Sequence, residues 1–582
     1  MKKFLSLLLI LSMVLGLVFI MPSCDNGNDD DDNKVDTTPV EIIKDGVAQY
    51  QLVYSDKCSD TVFVAMSDLI TAIHKLTGVR LDYIKASKAQ ENPEGKYILI
   101  GSTLFEESDA AIDSLGKKED AFTIEKAGEH IVFASHFDHG VTKAIKYYID
   151  NLLTDNYDAA SKTLLLKEYW HDGTQDLLAS FDVSNLAQYT IVYSTELDGY
   201  KDVAESVKER IKLLTGKTLD VSKDTGTPES AYEILIGNTN RYLSRKCYKD
   251  GTRLMEYKVV VEKGQLQIVC GGPRSARLGA YFLVDTVFKD STSTLATGTH
   301  LATDLSTDKV EHKEGTDVRI MTANLLAQSA DSIDKGFPLS VERFEIFARI
   351  LVDYTPDLVG VQEADSTYHP YISHYLEIVN ETYGLEYGTT ERKYKGKDIC
   401  NFVIYRADKY KLDYQKFELP SYVDAGTKAT EYHSGLTSAK FTSLTDPSVE
   451  LALLSSHWHW EKEDVVSGVP KQKVDSRQMA TEYKSIRLTY PNARIFCTGD
   501  FNSHRFNRQY LNEFLAEIDG IKASDIATVN GVIIPSFKHQ GQYIDHIIGA
   551  KNTFDVLLHA GTNNDSKALT DHQPVYADIK FK

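Results

Sequence analysis

The chain has few cysteines, and their spacing shows no pattern. Six occur in 582 residues, and apart from Cys24 near the N-terminus they lie far apart, at Cys58, Cys247, Cys270, Cys400 and Cys497. An odd set without metal-ligand or disulfide spacing argues against a zinc site and against a disulfide framework. These cysteines are therefore predicted to be isolated, small apolar residues.

Basic residues are fewer than acidic ones. The chain has 64 Lys and Arg residues against 84 Asp and Glu, which gives a formal net charge of −20. Such a surface repels polyanions at long range, so nonspecific binding of nucleic acid by the whole surface is not expected. Binding of nucleic acid in a local basic groove is the alternative.

Length and composition indicate several folded units. With 42% hydrophobic and 25% charged residues, the composition is that of a globular protein. A chain of 582 residues is too long for one hydrophobic core. We expect about three folded units.

The N-terminal segment is predicted to direct export. Lys2 and Lys3 precede the apolar run of residues 4–21, which ends just before Ser23 and Cys24. The pattern resembles bacterial lipoprotein signal peptides, which implies a signal peptide over residues 1–24 and a lipid on Cys24. The protein would then be anchored to the bacterial cell membrane outside the cytoplasm, at the cell surface or in the periplasm. An uncleaved anchor or an ordinary signal peptide is the alternative.

Residues 25–39 are predicted to form an acidic, disordered tether. They include four consecutive aspartates, at positions 29–32, and almost no apolar side chain. Such a segment cannot bury enough surface to fold.

An internal repeat follows the tether. The string QYQLVYS at residues 49–55 returns as QYTIVYS at 188–194, and ILIG at 98–101 returns at 234–237. Each copy reads strand, helix, strand, strand, helix, and the first helix is predicted to end at Gly78 or Gly216, where a left-handed cap favours glycine. We expect two small α+β domains, over residues 40–170 and 177–310. They resemble accessory α/β domains of glycoside hydrolases such as the α-glucuronidases, which implies a packing platform or a glycan contact.

Beyond residue 310 the pattern changes to apolar strands that end or begin at polar residues. Residues 318–324, 357–363, 449–459, 493–497 and 543–548 are predicted strands, residues 341–351 have helical spacing, and a last strand follows Pro574. Nine candidate functional residues lie at these strand ends: Asn324, Glu363, His457, His459, Asp500, Asn502, Asp545, Asp571 and His572. Polar groups at a sheet rim can hold a cation without burying an unpaired charge.

The order of these motifs, with Gly499-Asp500-Phe501-Asn502 among them, resembles the endonuclease/exonuclease/phosphatase superfamily over residues 316–582. The resemblance implies a DNase I-like fold, a four-layer α/β sandwich of two packed β-sheets covered by helices. The whole chain would then be of the α+β class. We also expect residues 316–582 to be soluble and active alone.

The resemblance implies a metal site at Glu363, Asn324 and Asp571. Hard oxygen ligands without a thiolate suit Mg²⁺ or Mn²⁺.

The resemblance implies five catalytic residues. Asp500 and Asn502 orient the attacking water and a phosphate oxygen. His572 is the imidazole beside the scissile phosphate, and Asp545 fixes its tautomer. His457 is a second imidazole, which donates to the developing charge on phosphorus.

A basic cluster just before residues 401–406 is a candidate substrate contact, because this region lies near the active-site rim in relatives. The cluster comprises Arg392, Lys393, Lys395 and Lys397, and His459 is a further candidate. A solvated turn explains the cluster equally well.

We therefore expect a divalent-metal-dependent phosphoesterase that hydrolyses phosphodiesters in a nuclease-like manner at the cell surface. A phospholipid, sphingomyelin or sugar-phosphate phosphatase is the alternative. The fold alone does not determine whether the substrate is nucleic acid, phospholipid or a small phosphate ester. A glycan-binding lipoprotein with a vestigial enzyme domain is the alternative of another class. The intact set of polar residues argues against it.

Overall fold

The computed structural model describes residues 39–56, 58–249, 251–303, 309–422, 435–460, 465–466, 468–503, 508–527, 543–562 and 568–582. The expected signal peptide with Cys24, and all of the expected tether except its last residue, lie outside the described residues. Within the described ranges, no helix has the length and apolar character needed to span a bilayer.

Among its described residues, the first repeat contains ten strands and four α-helices. The strands are β1 (Glu41–Lys44), β2 (Val47–Ala48), β3 (Gln51–Tyr54), β4 (Tyr83–Lys85), β5 (Tyr97–Ile100), β6 (Phe122–Ala127), β7 (His130–Ser135), β8 (Tyr157–Asp158), β9 (Thr163–Leu165) and β10 (Tyr169–His171). The helices are α1 (Asp60–Thr77), α2 (Ala86–Ala89), α3 (Glu106–Ser114) and α4 (Asp138–Tyr147), which continues into a π-helical turn (Tyr148–Leu152). A six-stranded sheet in the order β10-β6-β7-β5-β3-β4 is accompanied by a small sheet, β2-β1-β9-β8.

The second repeat has the same central architecture. Its strands are β11 (Ser180–Asp182), β12 (Thr190–Tyr193), β13 (Asp220–Lys223), β14 (Glu233–Ile236), β15 (Tyr257–Glu262), β16 (Gln265–Cys270), β17 (Thr294–Ala296) and β18 (Gly298–Ala302). Its helices are a 3₁₀-helix (Val183–Gln188), α5 (Gly199–Thr215), α6 (Tyr242–Tyr248), α7 (Pro273–Leu283) and a π-helical turn (Val284–Phe288). The sheet order β13-β12-β14-β16-β15-β18 matches β4-β3-β5-β7-β6-β10 strand for strand. The sequence repeat is therefore a structural repeat.

The helix ends in the repeats agree with the sequence, but some short elements do not. Gly78 and Gly216 cap α1 and α5 in the left-handed conformation, at φ 76° and 72°. The predicted order omitted β4 and β13, which run parallel beside β3 and β12. Both are short edge strands with mostly exposed or half-buried side chains, so they lack the alternation that marks a strand.

The C-terminal part contains sixteen strands among the described residues. They are β19 (Val318–Asn324), β20 (Leu358–Gln362), β21 (Tyr387–Thr389), β22 (Lys393–Tyr394), β23 (Lys397–Asp398), β24 (Phe402–Arg406), β25 (Tyr410–Glu418), β26 (Leu436–Ser443), β27 (Glu450–His457), β28 (Val465–Val466), β29 (Val469–Pro470), β30 (Arg494–Asp500), β31 (Gly520–Lys522), β32 (Asp545–Ala550), β33 (Phe554–Gly561) and β34 (Val575–Phe581). Its helices are α8 (Ala330–Asp334), α9 (Ser340–Tyr354), α10 (His369–Tyr383), α11 (Lys471–Thr489), α12 (Gln509–Ile518) and α13 (Ala523–Ile526).

These elements form the predicted four-layer sandwich. Two six-stranded sheets, in the orders β21-β24-β20-β19-β34-β33 and β25-β26-β27-β30-β32-β31, face each other. Apolar side chains from both sheets, among them Ile320, Leu453 and Phe496, form the core between them. Helices α9 and α10 cover the outer face of the first sheet, and α11 and α12 cover that of the second. The expected fold class is confirmed.

The second repeat and the sandwich share a hydrophobic core. Every residue of α9 except Asp353 is buried. One cluster contains Val203 and Ala276 of the second repeat together with Val341 and Phe344 of α9. This shared core argues against the expectation that residues 316–582 stay soluble alone, because their separation would expose a large apolar face.

A buried carboxyl joins the two parts. Glu345 of α9 lies at the N-terminus of α7, where it accepts hydrogen bonds from the backbone nitrogens of Met255 (3.1 Å) and Arg274 (2.8 Å) and from Ser275 Oγ (2.6 Å). A helix N-terminus favours a negative group. Burial nevertheless raises the pKa of Glu345 to about 7.

Glu345→Gln is expected to flatten the dependence of stability on pH. The folded pKa of this carboxyl lies above its ordinary value of 4.5. Its contribution is therefore complete below about pH 4.5 and is lost as the pH rises through about 7. Between these limits the unfolding free energy of the wild type should fall by up to roughly 3 kcal/mol more than that of the variant, as measured by urea unfolding.

Glu205→Gln is the matched control, because Glu205 is a half-exposed residue of α5. It should leave the pH dependence unchanged. An unchanged slope in Glu345→Gln would show that this carboxyl is already ionised in the folded protein.

Candidate active site

Polar residues at the ends of the central strands converge on one edge of the sandwich. Asn324 ends β19, Glu363 follows β20, His457 ends β27, Asp500 ends β30, Asp545 begins β32, and His572 precedes β34. The strand register pairs His457 with Asp500, and Asp500 with Asp545. The two sheets are joined just below this edge, where Gln362 Nε2 donates to Ser455 Oγ over 2.9 Å. The sandwich itself therefore places Glu363 opposite Asp500.

The first group at this edge combines two carboxylates and an imidazole. His457 Nε2 lies 3.6 Å from Glu363 Oε1 and 3.6 Å from Asp500 Oδ2. One ligand atom from each of the three residues lies within 4.8 Å of the others. This is a group that can hold a metal ion.

Asn324 lies between the two carboxylates. Its Nδ2 donates to Glu363 Oε1 (2.8 Å) and to Asp500 Oδ2 (3.2 Å), and its Oδ1 accepts from the Leu326 backbone nitrogen (2.9 Å). The expected metal ligand Asn324 thus presents its amide nitrogen, rather than its oxygen, to the acids. The amide nitrogen thus lies between the carboxylates of Glu363 and Asp500, which carry like charge.

The second group is built around His572. Its Nδ1 lies 2.8 Å from Asp545 Oδ2, and its Nε2 lies 3.6 Å from Asp500 Oδ2. Asp500, Asp545 and His572 also lie close enough to share a metal ion. Asp500 therefore belongs to both groups. The expected metal residue Asp571 belongs to neither group, and its Oδ1 lies 3.9 Å from His572 Nε2.

The site shifts the pKa values of its members in a consistent direction. Burial raises the pKa of Asp500 well above its ordinary value, and the neighbouring Asp545 raises it further. Burial alone would lower the pKa of His572, but Asp545, Asp500 and Asp571 outweigh it and raise that pKa to about 10. Without a metal ion, His572 is therefore the cation that the carboxylates hold.

Asn502 joins the site by a turn rather than by strand alternation. Its backbone nitrogen donates to Asp500 Oδ1 (2.8 Å), and its Nδ2 donates to Trp458 O (2.7 Å) and lies 3.1 Å from His457 Nε2. Its φ of 46° shows that the extended strand has ended. Asn502 therefore reaches the site from the turn that follows β30.

Three residues at this edge have a left-handed backbone conformation. Leu326, Glu363 and Asn502 have φ values of 57°, 58° and 46°, in the left-handed region that residues with a side chain rarely adopt. Such conformations persist where surrounding contacts fix them, and they are common at functional sites.

His459 does not join the group. β27 ends at His457, and Trp458 N donates to Asp500 O over 2.9 Å, which turns the chain away. The His459 backbone nitrogen donates to Asp475 Oδ2 (2.8 Å), and its ring packs against Tyr422. The predicted strand ran two residues too far.

The basic cluster forms a β-hairpin, β22–β23, with left-handed conformations at Lys395 and Gly396 in the turn. Lys393, Lys395 and Lys397 are exposed. Arg392 is half-buried and donates to His369 O (3.4 Å) and Ser373 Oγ (2.8 Å) of α10, so it fixes the hairpin to the domain.

Sequence reasoning missed a residue that supports the site from α11. The buried Gln472 donates through Nε2 to Phe501 O and Asn502 O, both at 3.1 Å. It holds the turn that carries Asn502. No periodicity or motif distinguishes this glutamine, because it meets the turn only after folding.

The residues present fit a divalent cation. Glu363 and Asp500 offer carboxylate oxygens beside the Asn324 amide, and His457 adds a nitrogen. Two acids at one rim repel each other unless positive charge lies between them. The donor set lacks a thiolate, so it suits an oxygen-preferring ion.

Comparison with known proteins gives matches among solved structures. No protein-family model and no curated protein matches the sequence. The endonuclease/exonuclease/phosphatase family protein from Bacteroides thetaiotaomicron is 18% identical over 45% of this chain and 97% of its own, with a TM-score of 0.35. The endonuclease/exonuclease/phosphatase from Bacteroides vulgatus is 19% identical over 46% of this chain and 100% of its own, with a TM-score of 0.36.

The catalytic domain of human Nocturnin, with a bound sulfate anion, is 15% identical over 46% of this chain and 94% of its own, with a TM-score of 0.33. At these identities and scores the likeness concerns fold and decides nothing about activity. By its own sheet order and layers, the C-terminal part of the chain is a four-layer α/β sandwich.

Proposed function

We propose that the C-terminal part of the chain is a metal-dependent phosphoesterase that hydrolyses phosphodiesters. The observation that carries this proposal is the convergence of Glu363, His457 and Asp500 with the Asp545–His572 pair around one shared carboxylate. A purely structural role would leave several ionisable groups crowded at a rim without an evident gain in stability.

Glu363, Asp500 and His457 would hold the cation, which we propose to be Mg²⁺ or Mn²⁺. A divalent ion there supplies positive charge to a phosphate oxygen and increases the acidity of water. Asp571 remains close enough to His572 to influence its charge, and we no longer assign it to the metal.

The protein's own groups then have separate tasks. Asp500 also accepts a hydrogen bond from the attacking water and orients it. His572 is fixed through Nδ1 by Asp545, which leaves its Nε2 proton directed toward the rim, where it donates to a phosphate oxygen. Asn502, whose Nδ2 lies 3.1 Å from the metal-facing nitrogen of His457, would orient a phosphate oxygen.

A substrate panel tests this proposal. The purified protein with Mg²⁺ or Mn²⁺ should be assayed on a small diester, DNA, RNA, sphingomyelin, a sugar phosphate and an aryl monoester. We expect hydrolysis of at least the small diester. Preference for sphingomyelin or a monoester would select the phospholipase or phosphatase alternative, and no turnover of any substrate would contradict the proposed activity.

The exposed lysines of the β22–β23 hairpin offer a contact for polyanionic substrates. Replacing Lys393, Lys395 and Lys397 by Ser should raise KM for an oligonucleotide at low salt, and the effect should fade as salt increases. A small monoanionic diester should be hydrolysed with unchanged KM. Arg392 is kept, because it fixes the hairpin to α10.

Replacement of three exposed lysines in the first repeat, Lys75, Lys85 and Lys96, is the matched control, since it changes net charge equally. Equal effects of the two triple variants would show that the hairpin lysines act only through the net charge of the protein. No effect of either would favour a small or membrane-bound phosphoester over nucleic acid.

We further propose that Cys24 carries a lipid and that the enzyme works outside the cytoplasm, on the sequence pattern of residues 1–24 alone. Contact of the repeats with a glycan is proposed on resemblance alone. The shared core of the second repeat with the sandwich supports the packing role.

A further inference from the structure

The loop that follows β19 holds two residues of the proposed metal site through its backbone. Leu326 N donates to Asn324 Oδ1 (2.9 Å), and Ala327 N donates to Glu363 Oε2 (3.0 Å). Both nitrogens are correctly placed because Leu326 adopts a left-handed conformation, at φ 57°. A conformation of this kind needs support from surrounding contacts.

Arg343 of α9 supplies part of that support. Its side chain is fully buried. Its guanidinium donates to Leu325 O over 2.8 Å, to Leu326 O, and to Pro338 O over 2.9 Å. A planar guanidinium presents several donors in fixed directions, so it fixes both carbonyls of the loop at once.

Tyr368 supplies the other part. Its buried hydroxyl donates toward Leu325 O (2.6 Å) and Leu326 O (2.9 Å). Its ring lies beneath the guanidinium of Arg343, 5.1 Å from the ring centre. The two side chains therefore converge on the same two carbonyls from adjacent elements, α9 and the turn before α10.

The position of Arg343 is itself fixed from the other side of α9. The neighbouring Glu342 accepts from Arg277 over 2.6 Å, and Glu345 is held at the N-terminus of α7. The second repeat thus packs against the helix from which Arg343 reaches the loop.

We propose that Arg343 and Tyr368 are positioning residues for the metal site. They hold the Leu325 and Leu326 carbonyls so that the following backbone nitrogens orient Asn324 and Glu363 for the cation. This inference rests on the proposed function and deepens it. Neither side chain contacts the metal or the phosphoester.

Tyr368→Phe tests the proposal with the loss of a single oxygen atom. The matched control is Tyr375→Phe, because Tyr375 is equally buried on α10 and its hydroxyl has no hydrogen-bond partner among the described residues. Mn²⁺ affinity should be measured by calorimetry on the metal-free, full-length protein. We expect Tyr368→Phe to weaken Mn²⁺ binding roughly tenfold, which is typical of groups that orient metal ligands, and Tyr375→Phe to leave it unchanged.

A kinetic signature distinguishes positioning from loss of stability. Saturating Mn²⁺ should restore the hydrolysis rate of Tyr368→Phe to near that of the wild type, because the loss lies in holding the ion. Arg343→Lys keeps the charge but loses the planar donors, and it should weaken Mn²⁺ binding at least as much. If Arg343→Lys fails to fold, Tyr368→Phe still decides the question.

The outcomes separate the two proposals. Equal Mn²⁺ affinity in the wild type and Tyr368→Phe would contradict the positioning role alone. Equal weakening in Tyr368→Phe and Tyr375→Phe would also overturn it, since any buried hydroxyl would then have the same effect. Failure of the wild type to bind Mn²⁺ would contradict the proposed metal site, and the inference with it.

Discussion

His572→Ala is expected to lower kcat for a phosphodiester by roughly two to four decades, the usual range for removal of a positioned acid or base. The reason is geometric. Asp545 Oδ2 lies 2.8 Å from Nδ1, so Nε2 is the nitrogen that faces the shared carboxylate of Asp500. The other imidazole beside Asp500, His457, is assigned to the cation and cannot replace this donor.

Single-turnover and steady-state rates of the purified variant measure this loss, with thermal unfolding as the check on folding. His374→Ala is the control, because His374 lies on α10 away from the strand ends and contacts Tyr375. Its rate should equal that of the wild type. A fully active His572→Ala would remove the proposed role of the Asp545–His572 pair.

Glu363→Gln is expected to weaken Mn²⁺ binding by more than about 100-fold. Groups that only orient metal ligands cost roughly 10- to 100-fold, and a ligand itself should exceed them. The amide keeps the size of the side chain and can still accept from Ala327 N, so the fold should be retained. Activity of the variant should rise with Mn²⁺ over a range in which the wild type is already saturated.

Glu381→Gln on the exposed side of α10 is the matched control. It should titrate with Mn²⁺ as the wild type does. Identical Mn²⁺ titrations of Glu363→Gln and the wild type would place the ion elsewhere.

The strand ends of the sandwich could be predicted because each depends on local pattern. Buried runs that stop at Asn324, Glu363 and Asp500 show where a strand leaves the core, and the structure places these residues together. Parallel register between β27 and β30 then brings His457 beside Asp500. Which strand ends lie next to each other at a sheet edge is set by the strand order. The sequence indicated that order only through the resemblance carried by the order of the motifs.

Side-chain orientation at the site could not be predicted, because it depends on contacts between distant segments. Asn324 turns its amide nitrogen toward two acids, one of which comes from the other sheet. Asn502 reaches the site through a left-handed turn held by Gln472, and His459 leaves it because β27 ends two residues earlier. Alternation along one strand contains none of this information.

The burial of α9 does not follow from its sequence pattern. Its charged residues suggest a solvent-exposed face, yet Glu342, Arg343 and Glu345 are all buried. Their partners are Arg277 and Ser275 of the second repeat and the carbonyls of the loop after β19. A charged face that is neutralised by another unit cannot be distinguished from a solvated one in the sequence alone.

The most direct test of the central claim is the initial rate of hydrolysis of a small aryl phosphodiester by the purified protein, with His572→Ala as the control for contaminating activity. The rate should fall to that of the control after chelation with EDTA and return when Mg²⁺ or Mn²⁺ is added in excess. Hydrolysis that survives EDTA at the full rate, or that no divalent cation supports, would contradict the account.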